Sequence, residues 1–450
     1  MSALYRTVWR WHFYAGLFVM PMVLILATTG MTYLIKPQVE RWEERAFQGL
    51  PSAGAVTPDA QVAAALAATP GAKLHSYRLP EFEGDAALVH VALLGPDKPM
   101  RDVFVSPQGQ VLGSLDPKAR IMEVVQRIHG QLLIGRQGSW IVELAASWAI
   151  VMLITGVILW WPKGRGLAGV LWPRTDKGGR TFLRDLHAVT GFWVAGLAMV
   201  LLLTGLPWAD AWGSAFKAVR AEMGWVKGKQ DWSIGGRAAD AGSEHADHDH
   251  AAMMATSMVA MSGLDHGMIH VPLGAIVARA KGEHLLFPVL VSPPDAKTMF
   301  WTVKSDTQNR PQRVSITYDA MSGHEITRET FADKHPIDRV IGYGVAWHEG
   351  ALFGWVNQLI GALTAIALIT LSVSGFLMWR RRKPADTLGA PSFPDGRRIG
   401  LGVKLTGAVL FLLLPMFALS VLVLWLFDRF VLPRTPRMAA WLGLQVQNAG

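Results

Sequence analysis

Of the 14 histidines in this chain, four stand at spacings that recur. His12 opens the pattern His-x-x-x-Gly with Gly16 and is followed by Thr29-Gly30. His187 opens the same pattern with Gly191 and is followed by Thr204-Gly205, the later glycine lying 18 positions past the histidine in both cases. His129 is followed by Gly135, by Gly156 of a Thr155-Gly156 pair and by Trp160. His348 is followed by Gly354, by Gly375 of a Ser374-Gly375 pair and by Trp379, at the same intervals of 6, 27 and 31. A neutral imidazole keeps one bare ring nitrogen and is a common metal ligand, so two matched pairs of histidines point to metal chemistry. The chain has no cysteine, which excludes disulfides, thiolate zinc sites, cysteine-held iron–sulfur clusters and covalently attached c-type haem. A redox centre here is left to His, Met, Tyr or carboxylate ligands.

The elements that must position these residues are apolar helices. The chain has 450 residues, 51% of them hydrophobic, and a mean hydropathy of +0.26. Five stretches, near Phe13–Leu34, Trp140–Trp161, Val189–Trp208, Val356–Trp379 and Val403–Phe427, approach or exceed the ~20 residues that carry a helix across hydrocarbon. The first is too long for a signal-peptide core and no Ala-x-Ala site follows it, so it reads as a retained anchor. The chain then divides into a first helix in 1–36, a segment 37–138, a second helix 139–161, a loop 162–186 and a third helix 187–208. There follow a segment 209–354, a fourth helix 355–379, a loop 380–401, a fifth helix 402–427 and a tail 428–450. The first loop carries Lys163, Arg165, Arg174, Lys177, Arg180 and Arg184; the second carries Arg380, Arg381, Arg382, Lys383, Arg397 and Arg398. Basic residues in short loops mark the cytoplasmic side, so the N-terminus is expected there and the two long segments in the periplasm of a bacterial inner membrane. The net charge of +9 is mostly this signal and implies no nucleic-acid partner. A single fifth span would leave Arg429, Arg434 and Arg437 outside, against the same rule; Pro415 marks a bend in that helix.

The recurring intervals read as an internal duplication. The offset is 175 between His12 and His187 and 219 between His129 and His348, so the second half gained 44 residues. A segment at 236–270, rich in Gly, Ala, His, Asp and Met, accounts for most of them. Each long segment also carries a short helix (Pro58–Thr69, Pro272–Ala280). Alternating runs follow, Ala87–Leu93 and Val103–Val105 in one, Leu286–Val291, Met299–Val303 and Val314–Tyr318 in the other. The expected fold is an α-helical integral membrane bundle of duplicated 2+2 helices plus one C-terminal helix, with two small α+β lobes outside.

Placed on this frame, His12 and His187 open the first and third spans from the cytoplasm, and His129 and His348 precede the second and fourth on the outer side. An ionisable residue in or beside a membrane span is costly and points to function. Two imidazoles from facing helices can fill both axial positions of a b-type haem while apolar side chains cover the ring, one haem at each level. Gly16 and Gly191, one helical turn after their histidines, would leave room for the ring edge. Arg10, Arg127 and Arg184 lie near the ligands in sequence and are candidates to pair with haem propionates. A zinc or copper centre at the same histidines needs more ligands, for which Glu143 and Glu349 are at hand.

The stretches Trp11-His12-Phe-Tyr-Ala-Gly16 with Thr29-Gly30, Ile128-His129-Gly130, Leu186-His187-Ala-Val-Thr-Gly191 and Trp347-His348-Glu-Gly350 resemble the PepSY-associated transmembrane helix family over roughly residues 5–385. That family includes iron-regulated inner-membrane proteins and ferric-siderophore reductases. The resemblance implies two PepSY-like periplasmic lobes, two haems b (His12 with His187, His129 with His348) and one-electron reduction of a periplasmic ferric chelate held between the lobes. The 236–270 segment and the fifth span are departures from its shorter members.

That segment adds a second metal chemistry. His245, His248, His250, His266 and His270 stand among Met253, Met254, Met258, Met261 and Met268, and imidazole with thioether suits copper in both oxidation states. Gly164-Arg-Gly166-Leu-Ala-Gly169 matches a dinucleotide fingerprint by letters only, since no strand precedes it. With no nucleotide motif and no room for a flavin domain, electrons are expected from membrane quinol or another redox protein. Trp140, Tyr343 and Trp347 are candidates to line their path or to form an interfacial aromatic belt. Three functions follow: reduction of a ferric siderophore, reduction of Cu(II), or a haem-free binding or transport-assisting role.

Overall fold

The computed structural model describes residues 3–95, 99–161, 167–225, 271–294, 299–391 and 401–444. Four long helices form the bundle: α1 (Ala3–Tyr33), α5 (Arg136–Trp160), α6 (Gly179–Gly205) and α10 (Trp355–Arg382). They close a ring in the order α1–α5–α6–α10, so α1 and α6 face each other across its centre. The sequence dictates this by where it puts small and large residues. Ala145, Ser147, Thr155, Thr364, Ser372 and Ser374 are buried between helices, whereas Leu203, Leu359, Leu363 and Ile366 point outward, half exposed or more. Lipid tails are as apolar as leucine, so helices associate through close contact of small residues rather than through leucine burial.

Short helices α4 (Ile121–Gln131) and α9 (Pro336–His348) lead into α5 and α10 through tight turns. His129 and His348 therefore sit on separate helices ahead of the second and fourth spans. The first turn holds Leu132 and Leu133 at φ 50° and 60°, a left-handed backbone that costs roughly 1–2 kcal/mol per non-glycine residue. It is locked by Gly138, where a Cβ would stand 1.7 Å from the Gln131 carbonyl oxygen. Gly138→Ala is expected to destabilise the protein by about 3 kcal/mol, the upper range for overpacking. Gly196→Ala, where a Cβ meets nothing within 4 Å, should be neutral. Thermal unfolding of both variants in detergent tests this.

Beyond the bundle lies one antiparallel sheet in the order β4-β3-β2-β1-β5-β6-β7-β8. Its strands are β1 (Lys73–Arg78), β2 (Ala87–Ala92), β3 (Met100–Val105), β4 (Val111–Leu115), β5 (Val289–Ser292), β6 (Phe300–Ser305), β7 (Val314–Asp319) and β8 (Glu325–Thr330). The two lobes expected as separate units are thus joined edge to edge. Tyr77 pairs with Val291 and Arg78 with Leu290 across the seam. Helices α3 (Pro58–Ala68) and α8 (Leu273–Gly282) cover one face. Val62, Ala65, Val89, Val103, Ile276, Val303 and Ile316 form a single core that ignores the seam. Burial of each Val or Ile contributes ~1.5–3 kcal/mol relative to exposure, and alternation along the strands selects the buried face.

Charged side chains fasten the sheet to the bundle. Arg120, just ahead of α4, donates to Glu43 at 2.9 Å and to Glu44, which also holds Arg78 of β1; Glu43 ends α2 (Lys36–Glu43). On the other side Arg220 of α7 (Asp210–Glu222) is fully buried and forks onto Asp338 of α9 at 2.9 and 2.7 Å.

The C-terminal part departs from a single fifth span. Helix α11 (Leu401–Leu413) stops at Leu414, whose φ of −122° and ψ of 89° are extended, and α12 (Pro415–Phe430) starts in a new direction. A residue before proline avoids the helical region, which places the break. Trp212 donates to the Leu413 carbonyl and Trp148 to Ser420, both at 3.0 Å, so α12 runs beside α5 and in its direction. Helix α13 (Pro436–Leu442) then meets the beginning of α1: the Leu388 amide donates to Trp441, Tyr14 to Leu442 and Arg10 to Gly443. Residues 428–444 thus lie away from the sheet side. Arg429, Arg434 and Arg437 follow the chain toward the end of the bundle that carries the basic loops, which removes the conflict noted in the sequence.

Candidate metal centre in the helix bundle

A cavity of about 1680 Å³ runs through the bundle from Tyr5, Trp9 and Arg382 at the end distal to the sheet to Arg127, Lys304 and Arg310 beneath it. The four histidines line it in two pairs. His12 and His187 have ring centroids 6.4 Å apart with planes at 88°. His129 and His348 are 6.2 Å apart with planes at 79°. A metal about 2 Å from each of two opposed imidazole nitrogens, with each ring centre about 1.1 Å behind its nitrogen, sets the centroids about 6.3 Å apart. Both pairs fit. Along α1 the two levels are separated by the rise between His12 and Thr29, roughly 25 Å of helix.

Each histidine is held from behind in the same way. The Nδ1 of His12 lies 3.0 Å from the Thr155 hydroxyl, that of His129 3.0 Å from Thr29, that of His348 3.2 Å from Thr204 and that of His187 3.1 Å from Ser374. For two of them a backbone carbonyl one turn back accepts as well, Leu371 for His187 at 3.1 Å and Leu201 for His348 at 3.0 Å. A carbonyl only accepts, so Nδ1 carries the proton in His187 and His348; the Thr155 and Thr29 hydroxyls, which give their own protons to Val151 and Ile25, call for the same tautomer in His12 and His129. The residue after each hydroxyl is glycine because the ring lies against it. A Cβ on Gly30, Gly156, Gly205 or Gly375 would stand 3.1 to 3.4 Å from the Cε1 of its histidine. Burial first, then the facing His348, pushes the His129 imidazole down to about 4; burial does the same to His348, so both are neutral at physiological pH.

Residues 9–382 match the PepSY-associated TM region. The chain belongs to this family. No curated protein matches it. As a PepSY-associated TM region protein with five helices among the described residues long and apolar enough to cross a membrane, it is a multi-pass membrane protein. The match holds all four histidines and their hydroxyl partners, whereas α11, α12 and α13 lie beyond it.

Within this PepSY-associated TM region, other expected site residues fall unevenly. Gly16 and Gly191 line the cavity, each packed toward a side chain of the neighbouring helix, Met152 and Leu371 respectively. Arg127 and Arg184 also line it, Arg184 bonding Asp185 at 2.8 Å. Arg10 does not: its guanidinium is buried against the carbonyls of Pro391 and Gly443, held by the returning C-terminal segment. Among the cations missed in the sequence are Arg180 and Arg382 at the distal end and Lys304, Arg310 and Arg313 beneath the sheet; Lys217 lines the cavity too. Trp140, Tyr343 and Trp347 are not among the lining residues; Trp208 is, with its ring edge-on to His348 at 5.5 Å. Trp160 and Trp379 line the distal level and donate to the carbonyls of Val170 and Leu388.

Neither carboxylate weighed for zinc joins a histidine pair. Glu143 accepts the amides of Ala211 and Trp212 at the start of α7, and Glu349 pairs with Arg310 at 3.3 Å. Among the described residues no three His, Asp or Glu side chains gather as a metal site. His245, His248, His250, His266 and His270, their methionines, and Gly164 and Gly166 lie outside the described residues.

Proposed function

We propose that this protein is a haem-dependent transmembrane oxidoreductase of the bacterial inner membrane, built from two copies of a two-helix unit. In this reading His12 and His187 hold one haem b and His129 and His348 a second. The single observation that carries it is the pair of imidazole separations, 6.4 and 6.2 Å, with the Nδ1 of every ring held against a hydroxyl. Bound haem would supply one-electron redox chemistry. The chain's own part would be to fix both ligands, keep water from the rings with the apolar walls of α1, α5, α6 and α10, and offer cations that could pair with propionates: Arg180, Arg184 and Arg382 distally, Arg127, Arg310 and Arg313 beneath the sheet. With the basic loops in the cytoplasm, electrons from quinol or a redox protein enter at the distal level. They leave beneath the sheet, in the periplasm, to a ferric chelate such as a siderophore, whose iron is thereby released.

An optical spectrum tests this directly. Protein made with ample haem should show sharp α and Soret bands on reduction and two haems per chain. Absence of those bands would leave the haem-free binding role in its place. Mixing the reduced protein with ferric chelates and with Cu(II) separates the acceptors: faster reoxidation by Cu(II) would favour a cupric reductase using the His/Met-rich segment.

A further inference from the structure

The Thr/Ser-Gly pairs carry an inference that rests on the haem reading above. We propose that Thr29, Thr155, Thr204 and Ser374 are positioning residues that fix the rotation and basicity of the four ligand imidazoles and so set the redox potential of each site separately.

The geometry is specific on three counts. Each hydroxyl has its own proton committed: Thr29 donates to Ile25 at 2.7 Å, Thr155 to Val151 at 2.8 Å, Thr204 to Val200 at 2.8 Å and Ser374 to Thr370 at 2.6 Å. The oxygen facing the ring is therefore an acceptor, and the ring nitrogen must donate. Donation from Nδ1 builds electron density on Nε2, the nitrogen that faces the metal, which raises ligand basicity and favours the ferric state. For His187 and His348 a backbone carbonyl, of Leu371 at 3.1 Å and Leu201 at 3.0 Å, accepts from the same Nδ1–H, so the ring is held by two acceptors at once. The clasp is reciprocal as well. The helix pair α1 and α5 exchanges hydroxyls, Thr155 serving His12 and Thr29 serving His129 ahead of α5. The pair α6 and α10 does the same with Ser374 and Thr204. Each ring is thus oriented by its own half of the chain before it meets the ring from the other half.

The experiment uses the full-length protein in detergent and a potentiometric titration of its haem bands, resolved into two components. Thr155→Val keeps shape and removes the acceptor. It should raise the midpoint of the component that His12→Ala abolishes by a tenfold change in the ferric-to-ferrous ratio, 59 mV for one electron, and shift its low-spin electron paramagnetic resonance. Thr29→Val should do the same to the component that His129→Ala abolishes. Thr155→Ser should restore the original values, as Ser374 already serves His187. Thr364→Val, which removes a hydroxyl bonded to the Ile360 carbonyl within α10, should change neither component. The proposal is overturned if both Val variants leave both midpoints in place, or if Thr155→Ser moves the midpoint as far as Thr155→Val. Those outcomes differ from failure of the haem reading itself, in which the unaltered protein shows no components to titrate.

Discussion

On the proposed di-haem reading, His129→Ala should leave one haem per chain instead of two, and reduction of an external ferric chelate should fall about 100-fold or more, beyond the range for loss of a supporting partner. The reason is local. The rings of His129 and His348 lie 6.2 Å apart between centroids beneath the sheet, and no third ligand from the described residues gathers with them to replace either. The pair at His12 and His187 is roughly 25 Å of helix away and keeps its own hydroxyl partners, so its haem stays. His187→Ala gives the mirror result. His324→Ala, an exposed position in the sheet region, keeps both haems. The count is made by haem extraction against protein mass. Two haems in His129→Ala would break the assignment of ligands.

The largest effect on stability is expected at Arg220 and Asp338. Arg220 is fully buried and Asp338 nearly so; the guanidinium forks onto the carboxylate and also donates to the Trp225 carbonyl at 2.7 Å. Removing either partner strands a buried charge, which costs about 3–5 kcal/mol. Arg220→Ala and Asp338→Ala should each lower the thermal midpoint. The haem beneath the sheet should be lost first, because Asp338 and His348 lie on the same helix, α9. Replacing both by Met and Leu should recover most of the stability, since a well-packed apolar pair of similar volume is no worse than a buried ion pair. Single variants that melt with the unaltered protein would show that the fork contributes little.

How much of this could be read beforehand depended on the reach of each interaction. The helices and histidine pairs were legible because hydrophobic length and recurring intervals are properties of the chain itself. The Thr/Ser-Gly pairs were visible as markers of the recurrence, yet their use was not. Thr29 meets a ring 100 positions away and Ser374 one 187 positions away, distances over which spacing carries no signal. Arg10 had the composition of an anion anchor at a helix end; carbonyls at 391 and 443 decide otherwise. Pro415 announced a break but not its direction, which comes from two indole N–H groups, of Trp148 and Trp212. The seam between the lobes rests on two residue pairs, too few to leave a pattern.

That seam limits how a large acceptor can be met. Lobes that share a backbone ladder and one core cannot swing open and shut on a bound molecule as jaws do, because parting them would tear hydrogen bonds and expose buried valine and isoleucine. Capture by clamshell closure is therefore ruled out along this edge. On the reading proposed above, an acceptor would dock from solvent against a rigid plate, near the cavity-lining Lys304 and Arg313. Its turnover would then be governed by how fast it lands and leaves.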